Sequence, residues 1–203
     1  MLEYTFAQLS KKEKYNLLIG SVIPRPVLFL TSVDQNGVVN AAPFSFFNLV
    51  SYDPAILMVS VQRKEGQMKD TARNIVEQGE AVGHVLSHSI LEEVNKTAQP
   101  LPQGKSEIEL TQLNILASKI VDVPRVQEAK VAYELSLYKH DTIVSEDGEV
   151  VADVLYLQVL HMHVDESVKK DTHILPIELA PISRLAGANY STLGEIITLE
   201  RPN

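Results

Sequence analysis

Phe44-Ser45-Phe46-Phe47-Asn48 places aromatic surface, a hydroxyl, an amide and free backbone groups within five residues, which is what a flat heteroaromatic ligand requires. On pattern alone the same residues also serve as core. Lys69-Asp70-Thr71 offers a second kind of chemistry. If Asp70 caps a helix over Thr71 to Gln78, the amides of Ala72 and Arg73 lie free at its positive end beside Lys69, Arg63 and Lys64. That is a place for an anion. An ordinary capped helix with solvated basic residues is the plainer alternative.

Other groupings lack a geometry. Gly104-Lys105-Ser106 mimics the end of a P-loop, but Gln99 stands where glycine is required. His161 and His163 share one face of an expected strand, with His173 further on, yet nothing in the sequence makes the three converge, and no metal site is assigned. His84 and His88 are four apart across a strand-to-helix boundary, where that spacing has no helical meaning. No cysteine occurs, which excludes disulfides, thiolate catalysis and iron–sulfur clusters. The chain also lacks GxGxxG.

The elements that must hold these residues are mostly strands. Val27–Val33 and Val38–Ala42 flank Asn36-Gly37, a strong hairpin signal, and Pro43 is expected to end regular pairing. Further strands are expected over 55–61, 81–87, 131–138 and 154–164, with a turn at Asp147-Gly148. The 131–138 strand reads as half-buried. Helices are expected from Asp70, from a capping box at Ser89-Ile90-Leu91-Glu92, and from Ser106. Pro100 to Lys105 reads as a surface loop, and the segment 4–20 is left open. Long-range β pairing without βαβ alternation points to a barrel or sandwich in a single domain spanning 1–203.

With 18 Lys+Arg against 26 Asp+Glu the net charge is −8, which opposes general binding to nucleic acid or anionic membrane. The first residues lack the pattern of a signal peptide, and no apolar run approaches the ~20 residues of a bilayer span. A cytoplasmic location is the expectation.

IPRPV, the hairpin, NAAPFSFFN, SYDPAILMVSV and KDTARNI, followed by LEEVNKTA, PRVQEA and PISRLAGANY, resemble the flavin reductase-like family of FMN-binding split barrels, in the same order and over nearly the whole chain. The resemblance implies a mainly β fold with a few helices, an antiparallel, Greek-key-like split β-barrel, and a homodimer with FMN near the subunit interface. It implies ring and ribityl contacts from Thr31, Ser32, Asn40, Ser45, Phe46, Phe47 and Asn48. Thr71 and Asn74, with Arg63 and Lys69 nearby, would meet the phosphate; Arg184 and Tyr190 would edge the pocket, Arg184 and Tyr190 ranking below the Phe44–Asn48 loop. At His84 the family commonly carries a flavin-adjacent Asn, so that contact is in question. The expected activity is an oxidoreductase passing hydride from NAD(P)H to flavin, then to a small-molecule redox substrate, with no acid/base catalyst. The alternatives are a non-catalytic electron carrier or flavin store, and a scaffold that has lost flavin.

Overall fold

The computed structural model describes residues 1–102 and 104–202; Gln103, inside the expected 100–105 loop, lies outside the described residues. Seven strands form one antiparallel sheet: β1 (Leu28–Val33), β2 (Val39–Phe44), β3 (Phe47–Tyr52), β4 (Ala55–Gln62), β5 (Glu80–Val85), β6 (Val131–Val144) and β7 (Val150–Val164). Their order is β2-β1-β5-β6-β7-β4-β3. The sheet curls, because Leu28 and Leu30 of β1, Phe44 of β2, Leu57 and Val59 of β4, Leu135 of β6 and Leu155 and Leu157 of β7 all enter one core.

Helix α1 (Lys11–Ser21) precedes the sheet, α2 (Asp70–Gln78) connects β4 to β5, and α3 (Leu91–Lys96) and the short α4 (Pro176–Leu179) follow. Among the described residues, no helix is long and apolar enough to cross a membrane. Ala72 and Ile75 press α2 into the core, whose other face is also covered: Phe29 and Ala41 pack with Ile90, Val94, Leu113 and Val126.

Several expectations change. Pro43 does not end pairing: it lies opposite Phe29 inside β2, which is tolerated because β2 is an edge of the hydrogen-bonded order, with one side free of ladder donors. The Phe44–Asn48 segment is therefore not a loop. Phe44 closes β2, Ser45 and Phe46 turn, and Phe47 opens β3. At α2 the N-cap is Lys69 without a side-chain cap bond; Asp70 is the first helical residue and pairs with Arg73. Gly79, at φ +79°, ends α2 as expected.

Ser89 makes no capping box, since a 3₁₀ turn at His88–Ile90 leads into α3, and Ser106 opens only the 3₁₀ turn Glu107–Leu110. The capping box is at α1, where the Ser10 hydroxyl accepts from the Glu13 amide and Glu13 accepts from the Ser10 amide. Strand β6 is not half-buried at its start. The segment around Val121 and Val123 covers Ala132 and packs against that face.

Candidate functional site

Three clefts of about 440, 400 and 320 Å³ join along one side of the molecule. The first is an apolar slot between the end of α1 (Leu18, Ile19) with the following Val22 and the β2–β3 corner (Phe46, Phe47), with Met58 of β4 behind it. Ser45, Phe46 and Arg25 belong also to the second, where Tyr15, Arg184 and Tyr190 add walls. Pro43 and Lys69 lead on to the third, at the N-terminus of α2, with Lys64, Asp70, Thr71 and Glu107. The result is one groove, apolar at one end and charged at the other, and each cleft falls in the roughly 300–1,000 Å³ range of ligand sites.

The C-terminal wall is held by short pairings: Arg25–Pro26 pairs antiparallel with Ser183–Arg184, which pairs with Tyr190–Ser191. The Arg184 guanidinium lies 4.4 Å from the Tyr190 ring centroid and donates to the Gly187 carbonyl. Gly187 sits at φ +62°, a conformation glycine adopts freely.

Arg25 binds the walls together. Its guanidinium donates to the carbonyls of Ile19 and Val22 at the end of α1 and of Leu185 in the C-terminal segment, and it lies 5.9 Å from the Phe46 ring centroid. The residue is 8% exposed, yet its Nε has no partner among the described residues. A buried donor without an acceptor is costly, so this position suits a ligand oxygen or nitrogen. Arg25 stands in the IPRPV segment, but nothing in sequence marked its burial.

Of the residues expected from sequence, Asn40, Ser45, Phe46, Phe47, Asn48, Lys69, Thr71, Arg184 and Tyr190 line the groove. Thr71 and Asn40 are buried there, with Asn40 Nδ2 donating to Thr71 Oγ1 at 2.7 Å. Asn74 is buried beside them, donates to Ser32 Oγ at 3.4 Å, and leaves its Oδ1 unpartnered.

Four expected residues do not face the groove. Thr31 is fully buried and donates to the Pro124 carbonyl; Ser32, also fully buried, accepts from Asn40 and Asn74. Arg63 is held by a bidentate pair with buried Asp153 at 2.9 and 2.8 Å, so its charge is already matched. His84 is fully buried, with Nδ1 2.9 Å from the Phe29 carbonyl and Nε2 accepting the Val126 amide. An accepting Nε2 fixes the proton on Nδ1, and burial holds the imidazole neutral, with its pKa down to about 4. Both ring nitrogens are used.

Glu107, absent from the sequence-based set, accepts from the Ala41 amide at the charged end. Burial, with Asp70 nearby, raises its pKa against the pull of that amide.

The donor set of the groove fits a flavin mononucleotide: a flat apolar slot, an orphaned buried donor at its edge, and a helix N-terminus flanked by Lys64 and Lys69.

A family model for the flavin reductase like domain matches residues 19–179. The Bacillus subtilis protein YwrF is 49% identical over 198 residues, covering 97% of each chain. Nitrilotriacetate monooxygenase component B from Bacillus cereus superposes with TM-score 0.96 at 43% identity over 98% of both chains. A Shewanella frigidimarina protein described as a putative flavin reductase with split barrel domain, at 16% identity, matches in fold over the full length of both chains with TM-score 0.84.

Proposed function

The chain belongs to the flavin reductase-like family, and from that premise we propose that it binds FMN in the groove and transfers hydride to it from NAD(P)H. The observation that carries this reading is the continuity of the groove from the Phe46–Phe47 slot past Arg25 to the α2 N-terminus. FMN, when bound, supplies the two-electron acceptor. The chain's residues bind and orient. Phe46, Phe47 and Met58 give the ring an apolar bed and exclude water from it; Ser45, Asn48 and Arg25 Nε offer polar contacts at its edge. Lys64, Lys69 and the first amides of α2 face the phosphate, while Arg184 and Tyr190 wall the middle.

With no GxGxxG in the chain, the nicotinamide must reach the ring through the open side of the same groove. A small-molecule acceptor would follow it there. Greek-key closure of the curled sheet into a barrel, one domain over 1–203, a homodimer and a cytoplasmic setting complete the proposal. Exposed Leu49, Val50 and Tyr52 on edge strand β3 are suited to a second copy, and light scattering of the FMN-loaded protein should give twice the chain mass. The function itself is tested by adding FMN to the purified protein. Quenching of flavin fluorescence to a one-to-one end point supports the reading, and free flavin at saturating protein refutes it.

A further inference from the structure

Strands β6 and β7 bring together three ligand-type side chains away from the groove. Glu134 of β6 lies directly opposite His161 of β7, and His163 follows two residues on, on the same face. The register depends on a bulge between Val159 and His161; without its extra residue Leu160 would face Glu134. Opposite His163 stands Ala132, whose small side chain leaves the imidazole room to lean towards Glu134, and His163 Nε2 lies 2.6 Å from Glu134 Oε1. One ligand atom from each of the three residues lies within 4.8 Å of the others.

The carboxylate is fixed before any ion arrives. Glu134 is fully buried and accepts from the amides of Lys119, Ile120 and Val121 as well as from His163. Burial opposes its charge, but these donors outweigh it and bring the pKa to about 2. The two histidines are partly exposed, their rings meeting edge to face at 4.9 Å between centroids, and the His161 imidazole makes no hydrogen bond among the described residues. Nothing in the fold requires that second imidazole there.

We infer that Glu134, His161 and His163 form a binding site for a divalent transition-metal ion, open on its solvent side to water or an exogenous ligand. Two imidazoles and one carboxylate suit zinc, cobalt, nickel or ferrous ions far better than magnesium or calcium, which prefer all-oxygen sets. On binding, the His163–Glu134 hydrogen bond opens from 2.6 Å so that both atoms can reach the ion, and the neutral imidazole then carries its one proton on Nδ1. Glu134 Oε1 keeps the Lys119 amide, and Oε2 keeps Ile120 and Val121, so the ligand stays oriented by the backbone around it.

Cobalt(II) titration of tag-free, FMN-loaded protein, followed through the cobalt visible bands after subtraction of the flavin spectrum and by equilibrium dialysis, tests this. The expected result is one Co²⁺ per chain, displaced by Zn²⁺. His161→Gln, which removes no existing hydrogen bond, should weaken Co²⁺ on the order of tenfold or more, with flavin content unchanged. His163→Gln keeps a donor for Glu134 and should lose the ion equally, which guards against a folding defect in the first variant. His173→Gln should bind as the wild type does. Absence of stoichiometric cobalt binding in the wild type, or binding unaffected by both β7 variants, overturns the assignment.

Discussion

Replacing His84 with Asn separates a structural role for this residue from a flavin contact. The imidazole is fully buried and spans Phe29 and Val126, with a pKa lowered by burial to about 4 from the ordinary 6.5. As pH falls, the unfolded chain takes up the proton first. The contribution to stability is therefore complete above about pH 6.5 and is lost as pH falls through about 4. One pKa unit is about 1.4 kcal/mol, so between pH 7 and pH 4.5 the wild type should lose about 2 kcal/mol through this group alone. Asp153, Glu134 and the other carboxylates contribute to both proteins and largely cancel in the difference between them. Denaturant unfolding of wild type and His84→Asn at the two pH values reads it out. The variant should be less stable at pH 7, because a buried donor or acceptor loses its partner, yet should lack the 2 kcal/mol acid-side loss. Its FMN affinity should be unchanged once folded. An equal acid-side loss in the variant, or a large drop in FMN affinity with an intact fold, refutes the reasoning.

Lys69→Glu reverses an exposed charge beside the α2 N-terminus, and should weaken FMN by about 1 kcal/mol or somewhat more while leaving riboflavin nearly untouched. Fluorescence titration with both ligands gives the ratio, and equal losses would move the phosphate elsewhere. Arg25→Met removes donors to Ile19, Val22 and Leu185, and should cost on the order of 2–4 kcal/mol in unfolding free energy. It should also make the end of α1 accessible to protease before the sheet unfolds; unchanged stability and proteolysis would deny Arg25 its role as a clamp between the groove walls.

The strands were legible where turns and alternation agree. Asn36-Gly37 and Asp147-Gly148 both mark hairpins, with Gly37 and Gly148 in positive φ. Strand β6 ran past its expected end at Tyr138 to Val144 because pairing with β7 continues through polar residues that no periodicity rule favours. Pro43 misled because its meaning depends on whether a strand is at an edge, which is a property of the whole sheet. The Ser10–Glu13 capping box was readable locally, and its omission left α1, one wall of the slot, undefined.

For the groove, residue types led to Ser45, Phe46, Phe47 and Asn48, a short segment that carries its own chemistry and lines the cleft. They say nothing of the pairing that holds Arg63 and His84 away from it. What occupies those side chains, Asp153 and the Phe29–Val126 pair, comes from distant parts of the chain and appears only once the strands are in register. The same limit hid Arg25, whose three acceptors lie on two separate segments, and Glu134, whose partners come from the 119–121 segment and from β7.

An anaerobic absorbance spectrum of the FMN-loaded protein, before and after NADH and then NADPH, tests the central claim most directly. The account predicts that at least one nucleotide bleaches the visible flavin band within minutes and that air restores it, because a ring held in the groove as proposed would stay open to a stacked nicotinamide. Flavin that dithionite reduces but neither nucleotide touches over hours would contradict hydride transfer and leave an electron carrier or flavin store as the account of the groove.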